Sequence, residues 1–184
     1  MSFLTMQLTK GQRIMRDDYS SEGLKDLIKE LGDTSNMRMV EIGSFIGEST
    51  VIFADHFKEV IAIDPFLSGY HEQDPTSRFD FNEVYQEYLS NISNHKNIKT
   101  ITLTSDDAID ILKDELFDFI YIDGLHTYEG VLTDIKNYLP LVKPGGVIGG
   151  HDLGPTWTGI EKAVKEVFGA PDKVFKDTSW IKRL

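Results

Sequence analysis

An α/β fold, with a mostly parallel sheet covered by helices on both faces, is the class that this chain predicts. Three observations predict it. Strand-like and helix-like runs alternate at least five times, the strand runs are continuously apolar, and several end in a glycine or a carboxylate. The 184 residues suit one domain, 1–184, with a sizeable core.

Each element follows from its own pattern. Within the amino-terminal segment 1–36, Leu24, Leu27, Ile28 and Leu31 repeat at i, i+3, i+4 and i+7, an amphipathic helix with Ser20 or Ser21 as N-cap and Gly32 as its stop. Met39-Val40-Glu41-Ile42-Gly43 reads as a buried strand, and the stretch from about Ser49 to Phe57 as the next helix. Val60-Ile61-Ala62-Ile63 is a strand that must end at Asp64-Pro65, because proline cannot continue a central ladder. Residues 66–79 are polar, punctuated by Gly69 and Pro75, and longer than most α/β connections, which marks a candidate lid. Phe81, Val84, Tyr85, Tyr88, Leu89 and Ile92 share one helix face. Ile98 to Leu103 alternates as a strand, and Ser105-Asp106-Asp107 opens a helix. Phe119-Ile120-Tyr121-Ile122 is an apolar strand ending at Asp123-Gly124. A helix from about Thr127 to Leu139 buries Val131, Leu132 and Ile135, and Pro144-Gly145-Gly146 turns the chain into the strand Val147-Ile148-Gly149. Thr158 and Glu161 form a capping box for a helix carrying Ile160, Ala163, Val164 and Val167, closed by Gly169. Short strands near Val174-Phe175 and Trp180-Ile181-Lys182 finish the sheet.

Composition removes whole classes of function. Lys and Arg number 19 against 30 Asp and Glu, a net charge of −11, so the surface repels phosphate backbones and nucleic acid is not an expected partner. No cysteine is present, which excludes disulfides, thiolate metal sites and cysteine nucleophiles; any metal must rest on Asp, Glu or His. The start Met1-Ser2-Phe3-Leu4-Thr5-Met6-Gln7 lacks the pattern of a signal peptide, and no run approaches the ~20 apolar residues that span a bilayer. A cytoplasmic protein without a membrane partner is the expectation.

In such a sheet the chemistry sits at the carboxyl ends of the strands, where the strand order reverses. Four ends carry it: Glu41-Ile42-Gly43-Ser44, Asp64-Pro65, Asp123-Gly124-Leu125-His126 and His151-Asp152. The turn Gly43 to Gly47 has three residues between its glycines and Glu48 where a P-loop carries lysine, and it does not give the spacing G-x-G-x-x-G. A carboxylate at that helix start would oppose a phosphate, so a ligand without phosphates suits it better. Asp64 ends its strand where a carboxylate takes both ribose hydroxyls, which points to a nucleoside-containing cofactor. Ser105, Asp106 and Asp107 read equally as adenine contacts or as helix caps. An NAD(P)-dependent reductase is disfavoured further by the lack of a Tyr-x-x-x-Lys pair, since Leu89, Ile92, Leu125, Leu132 and Val142 stand four after Tyr85, Tyr88, Tyr121, Tyr128 and Tyr138.

Val40 to Thr50, Ile61 to Pro65, and above all Phe117 to Gly130, Leu141 to Ile148 and His151-Asp152 resemble the class I S-adenosylmethionine-dependent methyltransferases. Asp123-Gly124-Leu125-His126-Thr127-Tyr128 with Pro144-Gly145-Gly146 is similar to the small-molecule O-methyltransferase group that carries an Asp-Gly-x-His-x-Tyr motif. The resemblance covers roughly residues 38–155 and implies a Rossmann-like seven-stranded fold with S-adenosyl-L-methionine as cofactor. It implies that Glu41, Gly43, Ser44 and Gly47 hold the methionine part, Asp64 the ribose and Asp106 the adenine edge, with Ser49, Ser105 and Asp123 also in the cofactor set. The residue chemistry agrees, because the cofactor carries a sulfonium cation and no phosphate.

Members of the group that use a divalent metal place an Asp after the fourth strand and an acidic pair after the fifth, positions that read Asp123 and His151-Asp152 here. A histidine in the pair departs from an all-oxygen magnesium site and leaves magnesium, manganese, iron or no metal open. Methyl transfer is an in-line displacement that needs orientation of the acceptor and removal of its proton. His126 or His151 is the expected base, with Asp123 and Asp152 orienting it or holding the metal. A catalytically silent S-adenosylmethionine-binding module would share the cofactor site and differ only in turnover. The small-molecule acceptor, which the resemblance implies to be a sugar or other hydroxylated metabolite, is expected against loop 66–79, residues 1–20 and the loop after His151, with Tyr70, Phe79, Tyr128 and Trp157 as an aromatic wall. The chain is short for the group, so a homodimer that completes the pocket is a further expectation.

Overall fold

In the computed structural model, which describes residues 17–184, the apolar runs assemble into a single sheet. The start Met1 to Gln7 and most of the segment 1–20 lie outside the described residues. The elements in chain order are α1 (Asp18–Leu31), β1 (Arg38–Ile42), α2 (Glu48–Ala54), β2 (Glu59–Ile63), α3 (Phe81–Ile92), β3 (Ile98–Ile101), α4 (Ser105–Leu112), β4 (Phe117–Ile122), α5 (Tyr128–Tyr138), β5 (Val142–Gly150), α6 (Thr158–Phe168), β6 (Lys173–Val174) and β7 (Trp180–Arg183). Short 3₁₀ turns occupy Pro75–Arg78 and Leu139–Leu141. The strand order is β3-β2-β1-β4-β5-β7-β6. The first five strands are parallel, and β7 runs antiparallel to both β5 and β6.

The strands are apolar throughout because both faces of the sheet are covered. Val40, Ile42, Ile120, Ile122 and Ile148 point to one face, where Ala108 and Leu112 of α4, Val131, Ile135 and Tyr138 of α5, and Ile160, Ala163 and Val164 of α6 meet them. Their neighbours Met39, Phe119, Tyr121 and Val147 point to the other, against Leu24, Leu27 and Ile28 of α1 and Phe53 and Ala54 of α2. The alternation of side chains along a strand thus sorts one apolar run into two cores. Each large side chain sealed in this way contributes about 1.5–3 kcal/mol relative to exposure.

Several expected helix starts move by a few residues, and each shift has a local cause. The cap of α1 is Asp17, whose carboxylate accepts from Ser20 N at 2.7 Å, so Ser20 and Ser21 lie inside the helix. Thr104 caps α4, leaving Ser105 as its first residue. Thr127, where the helix was expected to begin, is the cap of α5, its side chain accepting from Gly130 N at 3.0 Å. The capping box at Thr158 does not form: Trp157 occupies the cap without a side-chain bond, and Thr158 is the first helical residue. Pro144-Gly145-Gly146 lies within β5, where the pairing with β4 shifts register between Phe117 and Phe119. Leu132 is only partly buried.

The segment 66–79 is tied down instead of hanging open. Asp74 is buried and caps the turn Pro75–Arg78 by accepting from Thr76 N at 2.8 Å, while Tyr70 OH donates to Asp74 Oδ2 at 3.1 Å. At its end, Phe79 and Phe81 pack on Phe45 with ring centroids 6.1 and 6.0 Å apart.

The tightest backbone approach is at Gly43, where φ is +86° and an added Cβ would stand 2.1 Å from the Asp123 carbonyl oxygen. Gly145 also has positive φ, +78°, yet nothing lies within 4 Å of its missing Cβ. We expect Gly43→Ala to destabilise by about 3 kcal/mol or more, since strain and a backbone clash combine, and Gly145→Ala by roughly 1 kcal/mol from strain alone. Urea unfolding of the two variants checks the ranking; equal midpoints would show that the β1–β4 junction yields easily.

Candidate functional site

The carboxyl ends of β1, β2, β4 and β5 meet along one edge of the sheet, and β1 stands where the order reverses between β2 and β4. A cavity of about 730 Å³ opens there, inside the roughly 300–1,000 Å³ of small-molecule sites. Its wall contains Gly43, Ser44, Ser49, Asp64, Ser105, Asp106, Asp123, His126, His151 and Asp152. All four chemically loaded strand ends therefore converge.

Within the set, the glycine turn and Asp64 form one unit. Asp64 Oδ2 accepts from Phe45 N at 2.8 Å and Oδ1 from Phe66 N at 2.7 Å, so this carboxyl holds the turn after β1 as well as facing the cavity. Burial pushes the Asp64 carboxyl up, and bonds from the amides of Phe45, Phe66 and Ser44 oppose the push. Ser44 is 2% exposed and its Oγ has no hydrogen-bond partner among the described residues. A buried hydroxyl in that condition calls for a ligand or a water. Glu41 and Gly47 sit behind the wall. Glu41 is fully buried and its Oε2 accepts from Thr50 OH at 2.5 Å, joining β1 to α2. Gly47, at φ +82°, caps α2 where a Cβ would press on Tyr88 at 2.9 Å.

At the far side, Asp106 is exposed on the rim and accepts from Asn137 Nδ2 at 3.0 Å, while Ser105 is half-buried and its carbonyl accepts from Tyr138 OH at 2.8 Å. Between them and the floor lies Asp134 of α5, 3% exposed and part of the wall. Asp134 escaped the sequence reading because it belongs to an ordinary amphipathic helix; the available signal was an acid in register with Val131, Ile135 and Tyr138.

The opposite end gathers charge. His126 Nδ1 lies 3.4 Å from Asp74 Oδ2, and Nε2 lies 3.3 Å from Asp152 Oδ2 and 3.7 Å from Asp123 Oδ1. The Trp157 ring covers it at 4.8 Å between centroids. Burial disfavours the His126 cation, but Asp123, Asp74 and Asp152 outweigh it and push the imidazole up to about 10. The carboxylates around His126 therefore favour its protonated form. The same contact, with the hydroxyl and N–H of Thr76, overcomes burial and holds Asp74 well below the usual carboxylate range.

His151 presents Nδ1 to Asp152 Oδ1 at 3.4 Å and to Asp123 Oδ1 at 3.7 Å, and its Nε2 faces Asp177 Oδ2 at 3.9 Å. Asp177 comes from the turn before β7, too remote in sequence to be suspected, and is held by Ser179 Oγ at 2.9 Å. Asp152 adopts φ +59°, a left-handed conformation that the packing around it must maintain. Asp123, His126 and Asp152 each bring one ligand atom within 4.8 Å of the others, so His126 replaces His151 in the grouping that can hold a metal. Tyr70 and Trp157 line the cavity with Phe45 and Phe81. Phe79 is buried behind Phe45, and the Tyr128 hydroxyl turns away to donate to Glu166 Oε2. Among the described residues no helix is long and apolar enough to cross a membrane.

Comparison with known proteins bears on this geometry. Residues 40–153 match the family model described as a methyltransferase domain. Protein R132 of Acanthamoeba polyphaga mimivirus, which is uncharacterised, is 30% identical over 130 residues, 66% of this chain and 55% of its own. The curated relatives that match are longer, and the chain spans only 13% and 55% of their lengths. Among solved structures, CalS11, a TDP-rhamnose 3'-O-methyltransferase of calicheamicin biosynthesis, superposes with a TM-score of 0.62 at 15% identity over 96% of this chain and 81% of its own. An O-methyltransferase from Bacillus cereus in complex with SAH superposes with 0.59 at 18% identity over 90% and 80%. At these identities the likeness is one of fold.

The His126 cage has a measurable consequence. Its folded pKa lies above the unfolded value, so its contribution is full below about pH 6.5 and is lost as pH rises towards about 10. His126→Gln should destabilise most near pH 6 and progressively less up to about pH 10, read by denaturant unfolding across that range. A pH-independent difference would show that the cage does not hold the cation.

Proposed function

Because the chain belongs to the methyltransferase-domain family, we propose that it transfers a methyl group from S-adenosylmethionine to a hydroxyl oxygen of a small molecule. The observation that carries this reading is the cavity at the reversal point of the sheet, with the buried Ser44 hydroxyl lacking a hydrogen-bond partner among the described residues and Asp64 at its edge. Glu48 also lines it at the start of α2, where a pyrophosphate would meet a carboxylate, so a dinucleotide suits the site poorly.

Bound S-adenosylmethionine supplies an electrophilic methyl carbon on a sulfonium centre. The chain's own residues divide the remaining work. Gly43 and Asp64 shape the turn that would hold the cofactor, and Ser44 and Ser49 would offer it hydroxyls. Tyr70, Phe81 and Trp157 exclude water from the acceptor side. The acceptor hydroxyl must give up its proton, and His126, whose carboxylate neighbours favour its protonated form, is less suited to take it. His151 is the base in this reading: it lines the cavity, and the imidazolium formed there would lie beside Asp123, Asp152 and Asp177. The carboxylates of Asp123 and Asp152 with the His126 imidazole would suit manganese or iron better than magnesium, and taking up such an ion would release the His126 proton.

Calorimetric titration with S-adenosylmethionine and S-adenosylhomocysteine, with and without magnesium or manganese, tests the reading. We expect micromolar binding, weakened by roughly tenfold in Ser44→Ala through loss of one hydrogen bond. With methyl-labelled cofactor and a panel of hydroxylated metabolites, His151→Ala should lower turnover by about 10²–10⁴ while S-adenosylhomocysteine affinity stays within roughly threefold. Binding of NADH in place of either cofactor form would overturn the reading, and tight cofactor binding without turnover on any acceptor would favour a silent binding module.

A further inference from the structure

The segment between β2 and α3 is built as a unit of its own. Among the described residues, the hydrogen bonds of residues 67–78 close within the segment: Gly69 N donates to the Ser77 carbonyl at 2.7 Å, Ser77 Oγ donates to the His71 carbonyl at 2.6 Å, and the Asp74 carboxylate accepts from Thr76 N at 2.8 Å, Thr76 Oγ1 at 2.6 Å and Tyr70 OH at 3.1 Å. Both ends are anchored, since Phe66 lies against Tyr85 and Tyr88 of α3 with ring centroids 4.7 and 5.1 Å apart, and Phe79 is buried. Phe66 and Gly69 take positive φ, +49° and +75°, where the chain turns sharply into the segment. Between the anchors, its contacts with the rest of the described residues are made by side chains: Tyr70 on the Phe81 ring at 5.9 Å, His71 on the Trp157 ring at 5.8 Å, and Asp74 Oδ2 at 3.4 Å from His126 Nδ1. Leu67, Tyr70, Asp74 and Thr76 line the cavity from this side.

We propose that residues 67–78 form a cover that swings as one body over the histidine end of the cavity, that the position seen here is the closed one, and that Asp74 is the positioning residue that catches it on His126. A loop whose hydrogen bonds are internal moves without breaking them, so only its side-chain contacts with the body of the protein oppose opening. Asp74 is the contact that opening would disturb most. It is 4% exposed and would be carried away from His126, whose Nε2 stays with Asp123 and Asp152 at 3.7 and 3.3 Å. One imidazole thereby ties the cover to the ends of β4 and β5. Swung out, the cover gives a small molecule an entrance; swung in, it sets Leu67 and Tyr70 over that molecule and shuts out water. That the molecule admitted is the acceptor of a methyl group rests on the reading above, whereas the cover and its catch rest on these contacts alone.

The chain has no cysteine, so two introduced thiols carry spin labels without interference. Labels at Gln73→Cys on the cover and Lys165→Cys on α6, both exposed positions, report their separation by double electron–electron resonance. This parent protein should show a short-distance population in large excess. Asp74→Asn keeps an oxygen to cap the turn while removing the charge that faces His126, and His126→Gln removes the other partner without touching the turn. Each should raise the ratio of a longer-distance population to the short one about tenfold, the loss of one charge-assisted contact. The double variant should add little more, because both changes act through that contact. Acrylamide, a small neutral quencher, should reach Trp157 more readily in both single variants, while Trp180, 0% exposed, stays shielded. Thermal unfolding confirms that each variant is folded, and Asp74→Ser, also a cap former, replaces Asp74→Asn if the latter is not. Distances that stay short in both single variants overturn the proposal, as do shifts that add in full in the double variant, unchanged quenching of Trp157, or a parent protein already at the longer distance. Distances that shift as expected in a protein that binds no S-adenosylhomocysteine would instead overturn the cofactor reading and leave the cover standing.

Discussion

The close approach of β1 and β4 at their carboxyl ends is the constraint on which the rest of the site depends. Ile42 O accepts from Asp123 N at 2.8 Å, Ile63 O accepts from Gly43 N at 2.8 Å, and the Asp123 carbonyl fills the space a side chain on residue 43 would need. With the chain forced into positive φ at Gly43, the turn bends back over β2, where the Asp64 carboxyl captures Phe45 N. One steric requirement thereby aligns three strand ends and leaves Ser44 buried with its hydroxyl towards the cavity.

The two ends of that cavity handle charge in opposite ways. Around Asp134 burial, reinforced by the Asp106 charge, drives the group towards its neutral form. Around His126 three carboxylates outweigh burial and hold the imidazole charged. Asp74 joins the segment 66–79 to this second end through His126, so that segment and the strand ends share one electrostatic contact.

Much of this was legible from local pattern. The five parallel strands and their helices follow from continuous apolar runs, and Leu24, Leu27, Ile28 and Leu31 placed α1 correctly. The four loaded strand ends were recognisable because strand-terminal Gly, Asp and His have few structural reasons to follow an apolar run. Helix starts were less legible: Asp17, Thr104 and Trp157 cap helices whose neighbours Ser20, Ser105 and Thr158 have equal or better intrinsic preference. A cap depends on where the backbone turns, which the tertiary path decides.

The sequence by itself determined the fold class, the order of its elements and the residue types at the reversal point, because periodicity and strand-end chemistry are local properties. Only the tertiary structure decided which charges face each other. His126 and His151 each follow a strand end, yet Asp74, from a loop far away in the chain, joins Asp123 and Asp152 around the first, while Asp177, from the turn before β7, faces the other. Glu41 and Asp134 show the same dependence: the first is buried with its carboxylate bonded to Thr50, and the second, which no motif marked, lines the cavity. A protonation state depends on distance through space, and residue spacing along the chain does not encode that distance.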